Sequence, residues 1–547
     1  MNLPLFKILR AEFDGYNFSI FQKDLLAGLT VGAVALPLAL AFGIASGATP
    51  AAGLVTAILS GLIIGGLSGA PYQISGPTGA MSAVLILIAN KHGVEGVWLA
   101  GVLSGLLILL MGIFRLGRVV SLIPRPVITG FTSGIAIIIF VGQLHTFLGI
   151  KASESENAIG KLIDYLRFDF APDWRTMLTA GIVIATIFLM PKSINKRLPG
   201  SLVGLVIASA IAIFLGWQEK EIGDIPRTLL LDERLRLNLG FLAKLPDLIL
   251  PTLSIAALGS IESLLCGAVC GNATGKSMDG DQELIAQGVG NLLIPFFGGV
   301  PATAAIARSS VGVSSGGQTR MVSIIHALLL LACVFVLGPI IARVPLAALA
   351  GVLMATAIRM NEWSEIKWMF RHQFKSAIAA FFVTMFATAW LDLTQAILIG
   401  MLLSALIFVY RASAVSVERK EVDVKTLQSL GHDIDSVHPD MSVIYITGPM
   451  FFGAAESLRR QFNMYGCERA VVLSMRGVPL IDVSGLELIE EFWEKQKKCD
   501  GELLFAAVQP AVKQMLDRSG LTRMIGEQNF FWSADKAILA ANARATQ

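Results

Sequence analysis

Gly76-Pro77-Thr78-Gly79-Ala80-Met81-Ser82-Ala83 and Gly298-Gly299-Val300-Pro301-Ala302-Thr303-Ala304-Ala305 share an unusual build. Each sets irregular, Gly/Pro-rich backbone ahead of an apolar run too short to cross a bilayer, and roughly seven helices separate them. Proline suits the first turn of a helix, where its missing N–H costs nothing, so a short helix is expected to open at each place. Interrupted segments at matching places in two halves of an apolar chain point to an inverted repeat with a site at the membrane midplane. Two ordinary loop-to-helix junctions are the alternative reading.

Outward from these stretches the chain reads as membrane. Residues 25–90 carry no charge, which is 66 positions and room for three spans of about 20 residues. Further charge-free runs cover 96–114, 126–150, 176–191, 198–218, 284–307, 309–319, 321–342 and 344–358. Residues 248–275 hold one charge, Glu262, and 376–410, long enough for two spans, hold one, Asp392. The count is 14 helical segments, some of half length. An N-terminus in the cytoplasm puts Arg115, Arg118 and Arg125 inside, and likewise Lys192, Lys196, Arg197, Lys276, Arg320, Arg359, Lys367, Arg371 and Lys375, in keeping with the positive-inside rule. An even count returns the chain inside at Arg411, so both termini are expected in the cytoplasm.

The chain of 547 residues is 54% hydrophobic and only 15% charged, against about 25% charge in soluble domains. Charge is uneven: 32 of the 129 residues from position 419 onward are charged, and 51 of the preceding 418. A cytoplasmic N-terminal segment (1–24), a membrane domain (25–412), a linker (413–440) and a soluble domain (441–545) follow from this. A net charge of +3 gives no reason to expect a nucleic-acid partner. The five cysteines show no zinc spacing, and Cys266 and Cys270, one helical turn apart, read as packing residues. No metal or organic cofactor is expected. No cleavable signal peptide is expected ahead of the first apolar run, because the first 24 residues are mixed polar and amphipathic.

A helix that starts inside the membrane presents unpaired N–H groups and the positive end of its dipole, which together make an anion site. Two such ends facing each other hold an anion with backbone donors, and the small residues Thr78, Gly79, Ala80, Ala302, Thr303 and Ala304 permit close approach. The hydroxyls of Thr78 and Thr303 are placed to cap their helices or to meet the ligand. Arg308 lies about a turn and a half past Pro301, and side chains lean toward the helix N-terminus, so its guanidinium reaches back toward the anion. An arginine at membrane depth marks function by default; a structural arginine on backbone carbonyls, or one in the cytoplasmic exit, is the alternative. Glu262 is the second outlier. Removal from water penalises its charged form, so it suits a coupling proton; sodium binding and a structural ion pair with Arg308 are the alternatives. His145 reads as a helix histidine and Asp392 as a solvated span boundary. Gly271-Asn-Ala-Thr-Gly275-Lys276-Ser277 imitates a phosphate-binding loop but is one residue short and follows a membrane helix, which excludes ATP.

The stretch LGSIESLLCGAVCGNATGKSMDGDQELIAQGVGNLLIPFFGGVPATAAIARSSVGVSSGGQTR (Leu258–Arg320) resembles the sulfate permease family of anion transporters. The resemblance implies a seven-plus-seven inverted repeat divided into core and gate domains, working by an elevator-like displacement of one against the other. It places the anion between the N-termini of the third and tenth segments, hence at Thr78, Gly79, Ala80, Thr303, Ala304, Ala305 and Arg308. The first segment also lines the site in this family; here Leu38 and Phe42 stand where many members have glutamine and tyrosine. Glu262 matches the family's eighth-segment carboxylate, and Cys266 one turn on is a poor ligand for sodium, which prefers oxygen, so a proton is the favoured coupling ion. Sulfate, bicarbonate and C4-dicarboxylates all remain candidate substrates. A bacterial cytoplasmic membrane location is implied.

Beyond Arg411 the pattern changes to strand–helix alternation. Ser442–Ile446, Ala470–Met475 and Leu503–Val508 read as strands, and Ser484–Gln496 as an amphipathic helix, giving an α/β domain. The stretch PLIDVSGLELIEEF (Pro479–Phe492) resembles the phosphorylatable turn of STAS domains, which are implied to aid dimerisation, regulation and contact with protein partners. Ser484 is expected as the helix N-cap, with regulatory phosphorylation as a lesser role.

Overall fold

The computed structural model describes residues 4–117, 124–151, 153, 155, 158–167, 172–195, 198–236, 241–391, 393–432, 434–466 and 468–545. Arg118, Lys196, Arg197, Asp392 and Cys467 therefore lie outside the described residues. The chain divides into two compact units, Met1–Leu402 and Leu403–Gln547.

Among the described helices, fourteen segments fall into two sets of seven, with shorter helices such as Ala158–Arg167 and Trp363–Arg371 between them. The first seven are Phe18–Ala45, Pro50–Leu67, the two halves of Gly79–Ile113, Arg125–Gly142, Trp174–Leu189 and Gly200–Phe214. The second seven are Phe241–Thr274, Gly280–Leu293, Ile306–Ser314, Met321–Ile341, Leu346–Met360, Lys375–Trp390 and Leu393–Ala412. The continuous run Gly79–Ile113 would be far longer than a bilayer core if straight. Gly93 (φ 72°, ψ 178°) breaks it, a backbone conformation that only glycine adopts without cost. The third segment is thus the half-length helix 79–92, and the tenth, Ile306–Ser314, has nine residues.

Segments one to four pack on segments eight to eleven: the third and fourth lie on the eighth and ninth, and the first on the second and eleventh. Segments five to seven pack with twelve to fourteen, the fifth on the thirteenth and the sixth on the seventh and twelfth. These are the core and gate bundles. Glycines set the closest approaches in the core: a Cβ at Gly105 would stand 2.6 Å from the backbone nitrogen of Leu292, and one at Gly28 2.6 Å from the Ile325 side chain.

Two short strands join the halves. β1 (Ser75–Gly76) pairs antiparallel with β2 (Thr303–Ala304), Ser75 opposite Ala304 and Gly76 opposite Thr303. Buried polar side chains hold them. Gln287 Nε2 donates to Ser75 Oγ at 2.8 Å, Ser60 Oγ to Ser75 O at 3.0 Å, and Asn291 Nδ2 to Ala302 O at 2.8 Å. Glu283 anchors this web, accepting from Ser68 Oγ (2.5 Å), Gln73 Nε2 (2.8 Å) and Gln287 Nε2 (2.9 Å).

The second unit carries a five-stranded sheet in the order β3 (Ser416–Glu421), β4 (Met441–Thr447), β5 (Ala470–Gly477), β6 (Glu502–Ala506), β7 (Phe530–Phe531). The β3–β4 pair is antiparallel and the others are parallel. The stretch 413–440, expected as linker, thus supplies the antiparallel edge strand. Strand pairing overrode the charged sequence Ser-Val-Glu-Arg-Lys-Glu, which suits an edge that faces water. The cap of helix Val483–Lys497 is also corrected. Asp482, not Ser484, is the N-cap: its Oδ1 accepts from Gly485 N at 3.0 Å while its Oδ2 accepts from Phe452 N at 2.9 Å. Ser484 is the second helical residue, because the turn begins two residues earlier than the hydroxyl suggested. Asp482→Ala is expected to destabilise this helix by about 1 kcal/mol and Ser484→Ala by much less, read as faster amide exchange in the helix.

Candidate anion site

The pairing of β1 with β2 sets the starts of the third and tenth segments side by side. Thr78 is the N-cap of the third (φ −124°, ψ 160°); its Oγ1 accepts from Met81 N at 3.3 Å. The first-turn amides of Gly79 and Ala80 have no partner within the helix. Ala305 is the N-cap of the tenth segment and brings no side-chain cap, which leaves the amides of Ile306, Ala307 and Arg308 at the first turn. Neither proline opens its helix. Pro77 precedes the cap and Pro301 lies five residues before Ile306, because the intervening backbone is used for the strand pair. Arg308 is consequently the third residue of its helix, closer to the tip than the sequence suggested.

The Arg308 side chain is 1% exposed. Its Nη2 donates to Pro77 O, and its Nη1 has no hydrogen-bond partner among the described residues. The guanidinium lies on Gly76, where a Cβ would stand 3.1 Å from its central carbon. A buried cation beside two sets of helix-tip amides, with one nitrogen unpaired, makes a site short of negative charge. Glu262, half-buried, accepts at Oε2 from Thr78 Oγ1 at 3.0 Å. Thr78 therefore both caps its helix and holds the carboxyl. The expected alternative of a Glu262–Arg308 ion pair is not what forms; among the described residues Glu262 is held by a hydroxyl instead. Cys266, one turn on, turns its thiol to Ser309 Oγ at 3.3 Å and packs the eighth segment on the tenth.

Phe42 is buried beside the third-segment tip, where a Cβ on Gly79 would stand 3.2 Å from its ring. Ser46 Oγ and Ser82 Oγ, 2.9 Å apart, lock these two segments together. Thus Thr78, Gly79, Ala80, Phe42, Ala305, Arg308 and Glu262 gather at one place. Two expected residues do not join them. Thr303 is fully buried and donates from Oγ1 to Gly259 O (3.0 Å), with Ser263 Oγ also at 3.0 Å. Ala304 packs with Ala70, Tyr72, Cys266 and Cys270. Both belong to β2, so strand pairing turns them into the core. His145 stands apart, its Nε2 3.1 Å from Thr146 Oγ1.

Sequence reasoning missed the polar residues behind the tips. Glu283, Gln287 and Asn291 recur every four residues along one face of the ninth segment, a legible signal in a membrane helix. His326, buried in the eleventh segment, was also missed.

A fourteen-segment inverted repeat with two broken helices aimed at a buried arginine defines a multi-pass anion transporter. Residues 21–387 match the Sulfate permease family and 435–537 the STAS domain, and the chain belongs to the sulfate permease family. YvdB of Bacillus subtilis, named as a candidate sulfate transporter, is 34% identical over 95% of this chain and 98% of its own. The bicarbonate transporter BicA of Picosynechococcus is 28% identical over 95% of each chain. The murine Slc26a9 anion transporter, solved in an inward-facing state, shares the fold with a TM-score of 0.85 at 17% identity, covering 98% of this chain and 94% of that one.

Proposed function

We propose that the protein couples the movement of a small inorganic or carboxylate anion to that of a proton, by displacement of the core bundle against the gate. The observation that carries this reading is Arg308: a fully buried guanidinium with an unpaired nitrogen, set between two helix tips. It supplies charge, and the amides of Gly79, Ala80, Ile306 and Ala307 supply directional donors. Phe42 covers the site from the first segment and excludes water there.

The proton reading rests on Glu262. Its carboxyl is bound to Thr78, the cap of the anion-binding helix, so a change in its protonation acts on the helix tip that holds the anion. Cys266 faces Ser309 and offers a soft sulfur, not the oxygen a sodium ion prefers. Likeness to BicA favours bicarbonate among the anions, and likeness to YvdB favours sulfate; a bicarbonate transporter coupled to sodium in place of the proton is the second reading. Location in a bacterial cytoplasmic membrane with both termini inside, and homodimerisation aided by the STAS domain, complete the proposal. A phosphate on Ser484, in the first turn of helix Val483–Lys497, would lie at a favourable dipole end.

The test is uptake of labelled sulfate, bicarbonate and fumarate into proteoliposomes, with an imposed pH gradient or an imposed sodium gradient. Accumulation driven by acid outside, unchanged by sodium, is expected for one of these anions. Accumulation that follows sodium alone contradicts proton coupling.

A further inference from the structure

The soluble unit has two unlike edges. Strands β4 to β7 are mutually parallel, so their C-terminal ends share one edge of the sheet and their N-terminal ends the other. The N-terminal edge is charged: Asp440, Glu468, Arg469, Asp500, Glu502 and Arg544 line one cavity there. The C-terminal edge is apolar and open. Phe452 is 66% exposed, Leu480 49%, Val483 65% and Trp532 85%. Three of these form one patch. Met450 N donates to Leu480 O and Asp482 N to Met450 O, both at 3.0 Å, and Phe452 N donates to Asp482 Oδ2 at 2.9 Å, so Phe452 and Val483 flank the same aspartate. Trp532 follows β7 directly, on the same edge and about 14 Å from β4 at about 4.8 Å per strand. Clustered exposed apolar side chains mark an interaction surface.

What this edge meets follows from where the chain enters the unit. The unit begins at Leu403, so the end of the last segment, Leu393–Ala412, belongs to it. Tyr410 and Arg411 are both exposed there, and an aromatic ring beside a cation marks the level where hydrocarbon gives way to headgroups. The helical ladder continues to Ser413, whose N–H donates to Val409 O at 2.9 Å. Three residues of helix rise about 4.5 Å and the headgroup layer is about 5–7 Å deep, so Ser413 lies within that layer. A Cβ on Gly453 would stand 2.5 Å from Ser413 Oγ, and one on Gly448 3.4 Å from Ala414 O. Gly448 follows the last residue of β4 and Gly453 follows Phe452. The apolar edge is therefore the one beside the bilayer, and the charged edge faces away from it.

We propose that the edge formed by Phe452, Leu480, Val483 and Trp532 docks on the bilayer surface from which the last segment emerges, its apolar side chains seated among the lipid headgroups. Tryptophan suits that layer because its ring is apolar and its N–H can stay with polar groups. Arg476, exposed at the end of β5, adds a cation that suits lipid phosphates. The soluble unit is then held to the membrane by a lipid contact as well as by the chain.

The test uses the full chain in liposomes of phosphatidylcholine and phosphatidylglycerol, with nitroxide-labelled lipid as a quencher. An environment-sensitive fluorophore is placed in turn on Val483→Cys, Trp532→Cys and Lys498→Cys, and the parent treated in the same way gives the background from its own cysteines. Nitroxide lipid is expected to quench the fluorophore at positions 483 and 532 by about twofold or more, and to leave it within about a tenth of its intensity at 498, about 22 Å away at the other end of the same helix. Phe452→Ser combined with Leu480→Ser is expected to cut the quenching at 483 by about twofold or more, because surface binding scales with buried apolar area. Both positions are exposed, so the unit folds without them. Equal quenching at 483 and 498, or quenching at 483 that the double serine variant leaves unchanged, overturns the proposal. A fluorophore at 483 that is shielded from aqueous iodide yet untouched by nitroxide lipid also overturns it, and gives the edge to a protein, such as a second copy of this chain.

Discussion

Arg308→Ala loses anion uptake while the protein still inserts and folds. The guanidinium is the cation set between the tips of the third and tenth segments, and its removal leaves the helix-tip amides without a positive side chain beside them. Truncating one partner of a buried, hydrogen-bonded charge interaction costs about 2–5 kcal/mol, so apparent anion affinity falls by about 30-fold or more. The fold should survive, because the strand pair is held independently by Gln287, Ser60 and Asn291. Arg308→Lys restores part of the affinity at best: an ammonium keeps the charge but cannot hold Pro77 O and an anion with one planar fork. Uptake by Arg308→Ala at the parent rate, with normal insertion, would remove the arginine from the mechanism.

Glu262→Gln is the second large effect, and it is an effect on coupling. The amide oxygen of glutamine still accepts from Thr78 Oγ1, so the cap and the helix tip keep their geometry. What is lost is the ability to exchange a proton. A gradient of one pH unit is worth about 1.4 kcal/mol per coupled proton, or about tenfold accumulation of the anion. The variant should therefore exchange labelled anion across the membrane yet accumulate none against a gradient, and substrate addition should no longer alkalinise the outside medium. Thr78→Val separates the roles of the hydroxyl: it removes both the cap and the carboxyl's donor, and impairs binding as well as coupling. Proton-driven accumulation that survives in Glu262→Gln would assign the coupling ion elsewhere.

The membrane pattern was legible because lipid imposes one rule on every segment. Charge-free runs marked the spans, and the Gly/Pro leads at 76–83 and 298–305 marked the two interruptions. The starting points of the short helices were not legible. Proline at the head of an apolar run signals a first turn by propensity, but a two-residue strand pair across the halves competes for the same backbone and wins. That pair is long-range, and nothing local in Ser75–Gly76 or Thr303–Ala304 announces it. It moved Thr303 and Ala304 off the site and drew Arg308 toward the helix tip. Glu262 stood out as a lone carboxyl, yet its partner did not, since a threonine hydroxyl serves a cap and a carboxyl equally well. In the soluble unit, buried stretches such as Val471–Leu473 identified themselves by composition, whereas Ser416–Glu421 is exposed and charged and so reads as linker. Asp482 and Ser484 are both good caps, and only the depth of the turn decides between them.

The most direct measurement is a structure of the protein with its most rapidly transported anion bound, at a resolution that places the anion. The account predicts density in contact with the first-turn amides of Gly79, Ala80, Ile306 and Ala307 and within hydrogen-bond reach of Arg308. An anion seated elsewhere, with Arg308 facing away and the helix tips covered by side chains, would contradict it.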